Sequence, residues 1–131
     1  MIRKFNTFLI ASVLLGSSLF AEIQKSSYSS GELKTETNIE NGKREGITKG
    51  YYREGTLKYE TNFKNDKREG LAKGYYKNGK LKYEKKYKSG ALEGISKEYY
   101  KSGKLKSEWK FESDMPVSGA KYTEDGKKVK S

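Results

Sequence analysis

The residues best placed to do chemistry in this chain are tyrosines and lysines in fixed phase. Tyr51-Tyr52, Tyr75-Tyr76 and Tyr99-Tyr100 follow one another at 24-residue steps, and Lys58, Lys82 and Lys106 keep the same step. Aromatic rings beside ammonium groups recognise rather than transform. The ring quadrupole attracts a cation, and the phenol donates a hydrogen bond. Bond-making chemistry has few tools here. The 131 residues include no histidine and no cysteine, which removes thiol nucleophiles, imidazole bases and soft metal sites. The strand glutamates stand beside lysines at ladder spacing, as solvated charge pairs do. Asp66 and Asp114 fall in turns, where backbone hydrogen bonding accounts for them. The glycines follow the repeat and none opens a helix, so no phosphate loop is present. These residue types predict a protein that is not an enzyme and holds no cofactor and no metal.

The elements that position the tyrosines are read from the repeat. Gly55, Gly79 and Gly103, Leu33, Leu57, Leu81 and Leu105, and Gly46, Gly70 and Gly94 all keep the 24-residue step. The units run over 28–46, 47–70, 71–94, 95–119 and 120–131, the fourth with one extra residue near Met115-Pro116. From Leu57 the residues alternate: Leu57, Tyr59, Thr61 and Phe63 point one way, Lys58, Glu60, Asn62 and Lys64 the other. That alternation is a strand with one apolar face. Glu54-Gly55, Asn78-Gly79 and Ser102-Gly103 precede these strands, and Asn-Gly marks a two-residue hairpin turn.

Such a turn sets Tyr52 against Leu57, Gly50 against Tyr59 and Lys49 against Glu60. Gly50 and Gly74 leave room for the rings of Tyr59 and Tyr83, and Lys49–Glu60, Lys73–Glu84 and Lys97–Glu108 become cross-strand pairs. In the third full unit Glu98 and Ser107 replace glycine and tyrosine together. The predicted fold is all-β: an elongated single-layer antiparallel meander of roughly nine strands, rising ~10 Å per unit. Tyr52, Tyr76 and Tyr100 join the packed row. Tyr51, Tyr75 and Tyr99 stand on the polar face opposite Lys58, Lys82 and Lys106, as an exposed binding ladder.

The first 21 residues differ in kind. Arg3 and Lys4 precede the apolar run Phe8 to Leu15, and the segment closes at Leu19-Phe20-Ala21. This predicts a helical signal peptide over 1–21 and export to the periplasm, cell surface or medium; the run is short for a membrane span. Residues 22–27 read as a linker and 28–131 as the repeat domain. Without residues 1–21 the formal charge falls from +11 to +9, since Arg3 and Lys4 are their only charged groups. Leu, Ile, Val and Phe then number 14, a composition that on its own would signal disorder; periodicity overrides it. A positive surface fits a protein partner, an anionic lipid surface or an acidic envelope polymer. Export and the scarcity of arginine argue against nucleic acid.

The units GYYREGTLKYETNFKNDKREG and GYYKNGKLKYEKKYKSGALEG resemble the bacterial variant of the MORN repeat, over residues 28–126. Choline-binding repeats share the aromatic hairpin but lean on tryptophan, and this chain has only Trp109. The resemblance implies a one-layer sheet of hairpins that binds proteins or membranes. Some members carry the label of YwqK-type antitoxins, so an immunity role is a further expectation.

Overall fold

The structure, a computed structural model, describes residues 10–11 and 20–130. Among them eleven strands form one antiparallel sheet and no helix occurs. The strands are β1 (Ile10–Ala11), β2 (Ala21–Ser27), β3 (Leu33–Glu40), β4 (Lys43–Tyr51), β5 (Leu57–Lys64), β6 (Lys67–Tyr75), β7 (Leu81–Lys88), β8 (Ala91–Leu92), β9 (Gly94–Tyr99), β10 (Leu105–Glu112) and β11 (Met115–Lys121). They follow in chain order, with β8 and β9 both pairing β7 on either side of Glu93. The expected signal helix lies outside the described residues, apart from Ile10–Ala11, which pair with Ile23 and Glu22. Residues 22–27 are not a linker. They belong to a strand laddered to β3 from Ala21↔Glu40 to Ser27↔Leu33, with Lys25 on Glu36 at 2.9 Å. A stretch with one aliphatic residue, Ile23, is held by backbone pairing and an ion pair rather than by an apolar face.

The central register is as expected, but the route to it is not. Gly50 faces Tyr59 and Lys49 faces Glu60, while Tyr51, not Tyr52, faces Leu57. Tyr52 instead closes a three-residue loop: its N–H donates to the Thr56 carbonyl at 2.8 Å and its carbonyl accepts from Gly55 N–H at 2.9 Å. A two-residue turn of the Asn-Gly kind needs positive φ at both central residues. Only Gly55, at φ 88°, has it; Glu54 does not, and neither does Asn78 before Gly79, so both hairpins take the longer loop. A bulge at Leu57-Lys58 then absorbs the extra residue and restores the ladder at Gly50↔Tyr59.

The two-residue turns are at the other edge. Asn41-Gly42, Asn65-Asp66, Ser89-Gly90 and Ser113-Asp114 have positive φ at both positions. The irregularity near Met115-Pro116 is a deletion, not an insertion. Tyr100 Oη reaches the Tyr122 carbonyl as Tyr76 Oη reaches that of Tyr99, a step of 22 residues instead of 23. Gly119 takes the place opposite Trp109.

The sheet has little interior. Among the described residues, Ile39, Phe63 and Ala72 are the apolar side chains that reach burial, and no large side chain is fully enclosed. Close approach over glycine matters accordingly: a Cβ on Gly50 would stand 2.1 Å from Tyr59 Cε1, and one on Gly74 2.2 Å from Tyr83 Cε1. Glu98 does face Ser107 in the third unit, so side chain and ring are exchanged together. Gly50→Ala should therefore cost about 1–3 kcal/mol in chemical denaturation, and adding Tyr59→Ser should recover part of that loss. A double variant no better than the sum of the singles would refute the steric account.

Candidate functional site

The lysines of the expected ladder are in line, but their aromatic partners are displaced by one residue. Lys58, Lys82 and Lys106 lie over Tyr52, Tyr76 and Tyr100 at 5.5, 5.6 and 5.7 Å; the bulge at Leu57-Lys58 shifts the pairing. Lys34 extends the series over Tyr28 at 5.7 Å. The second tyrosines also link units, since the Oη groups of Tyr28, Tyr52, Tyr76 and Tyr100 donate to the carbonyls of Tyr51, Tyr75, Tyr99 and Tyr122 at 2.7–2.8 Å.

Tyr51, Tyr75 and Tyr99 are half-buried rather than exposed. Tyr51 donates to Glu36 at 2.7 Å and Tyr75 to Glu60 at 2.9 Å. Burial, then the adjoining carboxylate, pushes each phenol up to about 12. Tyr99 is raised by burial and by the Glu84 carboxylate. Of the three expected cross-strand ion pairs, Lys97–Glu108 closes to 3.2 Å; Glu60 is engaged by Tyr75 instead.

The opposite face carries a trough along the long axis of the sheet, about 480 Å³ in volume. Its floor is the row Thr48↔Thr61↔Ala72↔Lys85, one residue from each of four adjacent strands. One wall is Tyr59 and Tyr83, lying over Gly50 and Gly74. The other is Phe63 and Tyr87. Cations cover the walls: Arg44 over Phe63 at 4.1 Å, Arg68 over Tyr87 at 5.1 Å and Lys85 over Tyr83 at 5.2 Å. Arg44 is tied to Asp66, through Nε to the carboxylate at 3.1 Å and through Nη2 to the carbonyl at 3.0 Å; among the described residues the Arg68 guanidinium hydrogen-bonds only to the Tyr87 hydroxyl, at 3.3 Å. Thr48 is 8% exposed and its Oγ1 has no hydrogen-bond partner. The Oγ of Ser96, 7% exposed and opposite Trp109, is likewise unpartnered. Buried hydroxyls without partners are uncommon.

The pattern of alternation placed Tyr59, Thr61 and Phe63 on one face but gave no sign that Arg44, on the adjacent strand β4, would cover Phe63. Two further sets were legible as 24-residue steps and carry structure. Glu45, Glu69 and Glu93 accept the backbone N–H of Asn65, Ser89 and Ser113, the first residues of the next turns, at 2.7–2.9 Å. Ile23, Ile47, Leu71 and Ile95 form an exposed aliphatic stripe, each 46–52% accessible. Among the described residues no helix is long and apolar enough to cross a membrane.

The raised phenols predict a pH effect. A tyrosine whose folded pKa exceeds its ordinary value of about 10 contributes stability that is complete below that value and lost as pH rises through the folded pKa. Tyrosinate absorbance should show a fraction titrating near pH 12, and the denaturation midpoint should fall between pH 10 and that value. The decline should be shallower in Tyr51→Phe/Tyr75→Phe; identical curves for the two proteins would refute this.

A family model described as the MORN repeat variant matches residues 44–65, 68–89 and 92–113. Each matched segment opens on a residue whose carbonyl accepts from the next turn, Arg44, Arg68 or Leu92, and closes on the first residue of that turn. A search of curated proteins finds no match.

Proposed function

Since the chain belongs to the MORN repeat variant family, whose repeats are generally non-catalytic modules that bind proteins or membranes, we propose that it is an exported module that binds a protein partner. The observation that carries the reading is the uncovered trough. A one-layer sheet has no second layer to shield its aromatic face, and here that face is lined by rings and cations, the residue types that anchor interfaces. The basic start and apolar run of residues 1–21 support export; on this reading the partner lies at the cell envelope or outside the cell.

The aliphatic stripe favours a second reading. Ile23, Ile47, Leu71 and Ile95, with a formal charge of +11, suit shallow attachment to an anionic membrane surface.

One experiment separates the two. A photoreactive side chain is placed at Lys85, in the trough, or at Lys86, whose neighbour in the ladder is Leu71. A defined protein adduct from position 85 in living cells, absent from position 86, is the expected result. Flotation with anionic vesicles at low salt, abolished at high salt and weakened by Leu71→Ser, without any protein adduct would establish the membrane reading instead. Fractionation tests export: a chain that stays full-length in the cytoplasm would refute it.

A further inference from the structure

Resting on the protein-binding reading, we infer that the trough takes an acidic partner segment in the polyproline II conformation, with a carboxylate at every third residue.

The charge comes first. Arg68 and Lys85 face the trough without a carboxylate partner, and Arg44 shares only Asp66. An occupant must supply negative charge, and arginine held flat over a ring presents a fork suited to a carboxylate.

Shape decides the conformation. The trough lies on a face of the sheet, where the backbone amides are committed to the ladder. No strand can be added there, and recognition falls to side chains. Arg44 and Arg68 occupy the same place in successive units, two strands apart, or ~9.6 Å at ~4.8 Å per strand. A polyproline II chain rises ~3.1 Å per residue with three residues per turn, so every third side chain returns to one side after ~9.3 Å. A β-strand returns to the same side every ~6.6 Å and falls out of step with the arginines. Aromatic walls are also the surfaces against which extended proline-type segments dock.

The floor supplies the polar complement. A polyproline II backbone has no internal hydrogen bonds and carries its amides and carbonyls fully solvated. Thr48 lines the floor, nine-tenths buried with Oγ1 unpartnered, and donates to such a carbonyl once the side chains beside it give way to the occupant. A flat bilayer cannot reach a hydroxyl at the bottom of a trough, which sets this surface apart from the aliphatic stripe.

The test uses the full chain and two labelled peptides of equal composition. One has glutamate at every third position in a proline-rich background; the other has the same glutamates at every second position. Fluorescence anisotropy should show the period-three peptide bound about tenfold more tightly or better, the scale of one charge-assisted contact. Arg68→Gln should weaken that peptide by a similar factor. Thr48→Val, which keeps the side-chain shape, should weaken it while leaving circular dichroism and melting unchanged. Lys73→Gln, on the other face, should leave it unaltered.

Equal binding of the two peptides, unchanged binding by Arg68→Gln, or stronger binding of charge-matched polygalacturonate or anionic vesicles would each overturn the inference. The two readings fail separately. A cellular adduct without peptide binding keeps a protein partner and removes this ligand. Peptide binding without an adduct keeps the chemistry of the trough and removes the cellular partner.

Discussion

The structure depends on hydrogen bonds that skip a strand. Neighbouring strands pair through the ladder, as in any sheet, but the turns also bond to turns one unit away. At one edge the N–H groups of Asp66, Gly90 and Asp114 donate to the carbonyls of Arg44, Arg68 and Leu92 at 2.9–3.1 Å, and Glu45, Glu69 and Glu93 fix the residue before each. At the other edge each second tyrosine reaches the next unit's carbonyl. Register shifts interrupt the ladder near both ends of the hairpins, and a bulge adds local twist and bend to its strand. A meander with so thin an interior gains its stability from such nearest-neighbour terms rather than from a common core.

The bonded atoms of these turn-to-turn contacts are backbone in every unit, so the side chains there can vary: Arg44 and Asp66, Arg68 and Gly90, Leu92 and Asp114 fill the same pair of places. Asp66 accepts from Arg44 through both the backbone N–H, at 2.9 Å, and the guanidinium, and this holds its carboxyl below the usual range. Arg44 in turn covers Phe63. A single side chain thus joins turn, adjacent unit and aromatic wall. The Arg44 end of the positive rim follows from that stitching, whereas Arg68 faces Gly90 at the equivalent turn place and rests on Tyr87.

Much of this was legible before any coordinates. The approach of Tyr59 over Gly50 and the pairing of Lys49 with Glu60 follow from glycine spacing and alternation, and both stand. What misled was local turn chemistry. Glu54-Gly55 and Asn78-Gly79 both read like two-residue turns, yet in each only the glycine takes positive φ, even where asparagine could, and one bulge then moves Lys58 from Tyr51 to Tyr52. Asn65-Asp66 lacks the glycine that advertises such a turn, yet both residues adopt positive φ, because short polar side chains tolerate that region. The trough was only half legible: alternation put its rings on one face, but the seating of Arg44 over Phe63 and Arg68 over Tyr87 is a side-chain contact that no alternation pattern records.

At the edge of the two-residue turns the strand-skipping bonds run in one direction, each turn donating to the unit before it, back to Asn41 N–H on the Phe20 carbonyl; at the other edge the tyrosine hydroxyls donate to the unit after. A tandem duplication of one 24-residue block would insert a unit whose donors and acceptors are all supplied by its neighbours. The number of units can therefore change in evolution without any compensating substitution. The molecule behaves as a ruler graduated in steps of ~10 Å, and the span of whatever lies along it is set by copy number rather than by point mutation.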